Sequence, residues 1–273
     1  MTTYLRHGNE NEAERQKVSL DSSKTADTQF LDFIEKNNRI NKDDLIIDLG
    51  CGSGFFTNEI QKKFNCRVIG LDADSKQIES AKKLATESKN DQVNFINGLF
   101  FEDHAITNAK VVVMRQVIID VVEQSKLLAW AATLLSSDGT VCTFEPDYHA
   151  SILYPEPAGW AKFFEGYANY AINGTEDWYA GRKLPMHYHN AGLKILDMKT
   201  VIDLHTALNG QDQKYKKFID SELFNFKVDM DGLLSSGFVS KEEADFALAG
   251  FEALKNIPYS FVQTQMVAVC GKR

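Results

Sequence analysis

The residues best suited to chemistry lie close together. Asp48-Leu49-Gly50-Cys51-Gly52-Ser53-Gly54 places three alternate glycines directly behind a carboxylate and a short apolar run. Glycines at such a turn take positive φ and let a ligand approach the backbone with no Cβ in the way. The spacing is GxGxG and not the GxGxxG of dinucleotide sites, because Phe55 and Phe56 stand where the third glycine would lie. No Gly-Lys-Ser/Thr follows, which excludes a phosphate-binding P-loop. About 20 residues further on, Asp72 ends the next apolar run, and a carboxylate there can accept hydrogen bonds from both ribose hydroxyls of a nucleoside. Asp48 adds negative charge beside the turn, which suits an ammonium-bearing ligand better than a pyrophosphate.

A second set of groups could move protons. Glu145 and Asp147 follow a later strand, where one can act as general base, orient a cationic substrate, or simply cap a helix. His149, His187 and His189 raise a metal or base role. On a helix, His187 and His189 point nearly opposite ways and cannot chelate together, whereas on an extended segment they could. No metal site is expected. Cys51, Cys66, Cys142 and Cys270 form no CxxC pair, so neither a disulfide scaffold nor a zinc knuckle is indicated. Cys51 reads as a small buried residue and not as a nucleophile.

The elements that must hold these groups alternate. LIIDL (45–49), CRVIGLD (66–72), VNFI (93–96), KVVVM (110–114) and GTVCTFE (139–145) read as strands. Phe56, Ile60 and Phe64 share one face of a helix over 55–64, and Asp74 with Gln77 opens another over 74–85. Residues 122–135 form a third. This rhythm predicts a parallel, doubly wound sheet. Beyond residue 146 it changes. Residues 147–190 are rich in aromatics, among them Tyr148, Tyr154, Trp160, Phe163, Phe164, Tyr167, Tyr170, Trp178 and Tyr179. The spacing of Trp160, Phe164 and Tyr167 predicts packing against the sheet, with a few other rings turned to a ligand. A long strand over 193–204, a helical block with a Ser240/Glu243 capping box, and a closing strand over 260–271 complete the chain.

The 273 residues carry 30 Lys+Arg against 38 Asp+Glu, a net charge of −8, which argues against sequence-independent nucleic-acid binding. No run is apolar enough to span a membrane or serve as a signal peptide, so a cytoplasmic protein is expected.

The glycine motif with its second-strand acid resembles the class I S-adenosylmethionine-dependent methyltransferases, and most of all the bacterial small-molecule enzymes with a UbiE-like core. The resemblance covers residues 40–146 well. More loosely, Tyr4 to Arg15 is similar to the N-terminal segment of such enzymes, and Gly181-Arg-Lys-Leu-Pro to the helix start before their sixth strand. It implies a single α/β domain over 1–273 with a seven-stranded sheet, order 3-2-1-4-5-7-6, the last strand antiparallel. The parts would be an N-terminal helical segment (1–40), a cofactor core (41–146) and lid inserts (147–190 and 205–257). S-adenosylmethionine would lie against Asp48, Gly50, Cys51, Gly52 and Gly54, with Asp72 on the ribose and Ala73 beside the adenine. Arg115 and Gln116 would line the methionine and sulfonium end. Asn97, Gly98 and Leu99 would border the adenine, with Leu99 standing where the family usually carries an acid.

The implied activity is methyl transfer to a small-molecule O, N or C nucleophile. Glu145, Asp147, His149 and His187 are the candidates for acid–base work, and Tyr4 would close the pocket. No Asn/Asp-Pro-Pro-Tyr/Phe tetrapeptide follows the fourth strand, where Met114-Arg115-Gln116-Val117 stands instead. An RNA or protein methyltransferase, a non-catalytic cofactor-binding protein, and a relative using the cofactor for aminopropyl transfer or cyclopropanation are the alternatives. A monomer or homodimer is expected.

Overall fold

Near-continuous apolar runs need burial on both faces, and the fold gives it to them. Ile46, Ile47 and Leu49 of β1 (Leu45–Leu49) and Val111 to Met114 of β4 (Ala109–Arg115) are completely buried at the centre of one sheet. The computed structural model describes residues 12–174, 176–208 and 212–273, with side chains from residue 24 onward; Tyr4 lies outside them.

β2 (Arg67–Asp72), β3 (Val93–Asn97) and β5 (Leu135–Pro146) extend the parallel array. Their crossovers carry α2 (Phe55–Phe64), α3 (Ser75–Glu87) and α4 (Gln124–Thr133). Asp74 caps α3 by accepting from the Lys76 and Gln77 backbone N–H groups, and Asn65 in a left-handed conformation ends α2. β8 (Phe261–Lys272) inserts antiparallel between β5 and β7 (Lys194–Thr206). With β6 (Ile152–Tyr154) included, the order is β3-β2-β1-β4-β5-β8-β6, with β7 pairing β8. The eighth strand is β6, three residues that pair with the first half of β8. Without it the order is the expected 3-2-1-4-5-7-6.

Helices cover both faces. On one, α1 (Glu12–Asn37) lays Phe30 flat on Phe144 of β5, ring centroids 4.6 Å apart, with Phe56 of α2 behind at 5.9 Å. On the other, α4 packs with α6 (Ala180–Asn190), whose Tyr188 hydroxyl lies within hydrogen-bond reach of the Val141 and Val269 carbonyls.

The aromatic run departs from expectation. Trp160 and Tyr167 of α5 (Trp160–Asn173), with Phe164 packed against the same cluster, are set mainly among helices and meet the sheet at Val262 of β8. They meet Phe218 and Phe226 of α7 (Asp212–Ser236) and Phe251 of α8 (Lys241–Ala253) in a separate core. The inserts are long enough to bury their apolar faces against each other, so the helical stripe found a helical partner. Ser240 and Glu243 form the predicted capping box on α8. Among the described residues, no helix is long and apolar enough to cross a membrane.

Candidate cofactor and acceptor site

The turn after β1 is left-handed at all three glycines, with φ of 71° at Gly50, 51° at Gly52 and 76° at Gly54. Two of them are also required by packing. A Cβ on Gly50 would sit 2.6 Å from a Val117 methyl, and one on Gly54 would sit 2.6 Å from the Phe95 ring. The turn is tied to the end of β2, because the Gly50 and Cys51 N–H groups both donate to the Leu71 carbonyl. The Asp72 carboxylate completes the tie, accepting from Gly52 N at 2.8 Å and from Asp74 N at 2.9 Å. The end of β3 joins through Asn97, whose Nδ2 donates to the Asp72 and Ala73 carbonyls, and through Gly98 N, which donates to Asp72. Ala73 and Leu99 are exposed beside this junction, and Leu99 is held by Glu102 and His104. Cys51 is buried, which pushes its thiol up and leaves it inert.

Asp48 is buried beneath the turn and accepts a 2.6 Å hydrogen bond from Thr57 Oγ1. Burial pushes its carboxyl up to about 7, against the pull of Thr57 and Arg115. Such a group gains from any cation brought to it.

Arg115 ends β4 and lies over the Phe56 ring at 5.4 Å. Its guanidinium pairs bidentately with Asp27 of α1, Nε to Oδ1 at 2.6 Å and Nη2 to Oδ2 at 3.0 Å. Gln116, next in the chain, holds a left-handed φ of 56° and donates its N–H to the Phe144 carbonyl. A non-glycine residue in that region at a strand end stores strain, as functional sites often do.

The expected acid–base group does not assemble. Glu145 is fully buried and accepts from three backbone N–H groups, Val117 and Ile118 at 2.9 Å and Ile119 at 3.2 Å. It anchors the turn after β4, and burial pushes its carboxyl up to about 7. Asp147 is taken by Arg182, with contacts of 2.6 and 2.7 Å. His187 lies roughly 10 Å down α6 from its start, at 1.5 Å per residue. There it is buried against Ser125 of α4, Nδ1 to Oγ 2.9 Å. His189, two positions on along the helix, is exposed. His149 alone of the four is exposed near the strand ends, stacked on Tyr179 at 4.3 Å.

Four buried polar residues were not singled out as candidates by the sequence reading. Gln77, in the first turn of α3, is buried with an Oε1 that has no hydrogen-bond partner. Asp27 holds Arg115. Asp203 and His205 face inward at the end of β7, with His205 Nε2 3.5 Å from Asp203 Oδ2. Their signal was present: two polar residues in phase with buried Val201, where a half-buried strand should turn its apolar side.

A left-handed glycine turn, a carboxylate braced at the end of β2, an orphaned acceptor on the next helix and a buried carboxylate below fit one ligand class. That class is a nucleoside with an amino-acid tail, which brings hydroxyl donors at one end and an ammonium at the other.

Comparison with known proteins agrees. Sterol 24-C-methyltransferase of Saccharomyces cerevisiae is 39% identical over 64 residues, 23% of this chain but only 17% of that enzyme's length. Geranyl diphosphate C-methyltransferase from Streptomyces coelicolor, solved with Mg2+, geranyl diphosphate and S-adenosylhomocysteine, superposes with TM-score 0.54 at 14% identity. The match covers 90% of this chain and 77% of that one. A phosphoethanolamine N-methyltransferase of Haemonchus contortus gives TM-score 0.55 at 14% identity, covering 90% of this chain and 53% of that one. A family profile described as a methyltransferase domain matches residues 40–189, more than half of the chain and the whole of the glycine turn, Asp72 and Arg115. The chain therefore belongs to the methyltransferase-domain family.

Proposed function

We propose that the protein binds S-adenosylmethionine across the ends of β1, β2 and β4 and transfers its methyl group to a small-molecule acceptor held beneath α1, α5 and α7. The observation that carries this reading is the brace between Gly52 N and Asp72 Oδ2. It joins a left-handed turn to a strand-end carboxylate at the place where open α/β sheets bind ligands. The cofactor supplies a methyl group already activated by a sulfonium.

The residues then have positional work. Asp72 and Gln77 offer acceptors to ribose hydroxyls, and Asp48 offers a carboxylate to the ammonium. Glu145 fixes the turn at Val117–Ile119 that would face the reacting groups, and the aromatic core of α5, α7 and α8 keeps water out. The small-molecule acceptor is supported by the net charge of −8 and by relatives that act on sterols and geranyl diphosphate. A UbiE-like core, a cytoplasmic location and a monomeric or homodimeric state belong to the same proposal.

Calorimetry with S-adenosylmethionine and S-adenosylhomocysteine tests the first half, and both are expected to bind at one site. Release of S-adenosylhomocysteine in the presence of a metabolite extract tests the second. Binding without release across such extracts would favour a non-catalytic cofactor-binding protein, and no binding would overturn the reading.

A further inference from the structure

Asp203 and His205 have no place in the cofactor site, yet they are buried side by side where polar groups need a reason. Strand β7 runs parallel to β5 and continues beyond it: Val201 is level with Pro146, and Asp203 and His205 lie further along, opposite Thr264 and Val262 of β8. They therefore lie beyond the carboxyl end of β5, where β6 continues the sheet on the other side of β8. Their face is that of Val201, which packs with Phe30 and Phe144 under α1.

Among the described residues, the charged neighbours come from three elements. Asp203 sits on the strand itself, Lys214 comes from α7, and Asp27 from α1 is paired with Arg115 of β4. The His205 ring lies flat on Phe218 of α7, centroids 3.6 Å apart. Asp27, paired with Arg115, thus lies within electrostatic reach of Asp203, whose neighbour His205 is set against an aromatic ring.

We propose that Asp203 and His205 form the acceptor-binding wall opposite the sulfonium, and that His205 takes the proton from a small apolar acceptor carrying a phenol- or enol-like O–H. This rests on the reading of the site given above. In the step, an oxygen lone pair forms the new C–O bond, the C–S bonding pair returns to sulfur, and the O–H proton passes to a ring nitrogen of His205. The net positive charge is conserved: it leaves the sulfonium and appears on the imidazolium, whose Nε2 lies 3.5 Å from Asp203 Oδ2. Burial and Lys214 push His205 down to about 4, so the ring is neutral at neutral pH. Phe218, stacked face to face on His205, fixes the orientation of the imidazole.

The test uses nitrogen-15 NMR of the histidine rings in the full chain, with His205→Gln assigning the signals. If that variant fails to fold, substituting the other histidines one at a time assigns them by elimination. The probes are S-adenosylmethionine, S-adenosylhomocysteine, phenol and its methylated counterpart anisole. The two cofactor forms differ only by a methyl group and its charge. The His205 nitrogens are expected to shift between the two complexes, and exposed His189 is not. In the S-adenosylhomocysteine complex, phenol is expected to shift them further and anisole is not. Identical His205 signals in two complexes that calorimetry shows to be formed would overturn the wall alone. Sensitivity to the sulfonium without a phenol response would overturn the hydroxyl-binding role. Failure of both cofactor forms to bind would instead remove the underlying reading, and this inference with it.

Discussion

Arg115 and Asp27 form a two-pronged ion pair between the end of β4 and helix α1, with contacts of 2.6 and 3.0 Å. Their side chains are 15% and 9% exposed. The pair locks the N-terminal helix to the strand whose following residues border the candidate site. It also uses a guanidinium that the resemblance would give to the cofactor.

Removing one partner of a buried pair strands the other, which costs about 3–5 kcal/mol when burial is complete. With Arg115 partly exposed, Asp27→Ala should lose about 2–4 kcal/mol in urea unfolding. Asp32→Ala, which breaks an exposed contact to Lys63, should lose less than about 1 kcal/mol. Equal losses for the two variants would mean that the buried pair has no special weight.

Asp72→Ala should weaken S-adenosylmethionine and S-adenosylhomocysteine roughly tenfold to a hundredfold, the equivalent of about 1.5–3 kcal/mol for a hydrogen bond to a charged group. The variant also frees Gly52 N and Asp74 N, so its unfolding should be measured beside its binding. Unchanged affinity in the folded variant sinks the ribose assignment.

Two of the glycines should separate by assay. Gly50→Ala forces a Cβ to within 2.6 Å of Val117 at a φ of 71°, and should cost about 1–3 kcal/mol of stability. Val117→Ala in the same chain should recover part of that loss. Gly52→Val, a branched side chain at a φ of 51°, should abolish cofactor binding while the domain still folds. If Gly52→Val binds like wild type, the turn serves structure only.

Asp48 and Glu145 both carry carboxyls raised to about 7. Each keeps its proton in the folded chain after the unfolded chain has lost it. Their contribution to stability is therefore greatest below about pH 4, falls as pH rises towards 7 and levels off above it. At about 1.4 kcal/mol per pH unit, each group can account for up to roughly 4 kcal/mol. Asp48→Asn and Glu145→Gln should each flatten the change in stability between about pH 5 and about pH 7.5. If Asp48 meets an ammonium, cofactor binding should also release protons in that window, so calorimetric heats should depend on the buffer. Heats that are independent of buffer would place the ammonium elsewhere.

Periodicity and turn chemistry made much of this protein legible from its sequence. Apolar runs at 45–49 and 110–114 can only be central strands, Asp74 can only begin a helix, and three glycines behind Asp48 can only turn sharply. These are local constraints, decided within a few residues of chain. The sheet order came from the resemblance, and the eighth strand was missed because Ile152–Tyr154 is too short to show a period.

Pairing between distant residues was not legible. Nothing in the neighbourhood of Glu145 announces that three backbone N–H groups from residues 117–119 will claim its carboxylate. Asp147 meets Arg182, and Arg115 meets Asp27, only because the chain brings them together across 35 and 88 positions. A free carboxylate and a structural one look the same in a sequence. Tertiary structure decided between them, because a buried charge must take whichever partner the fold delivers.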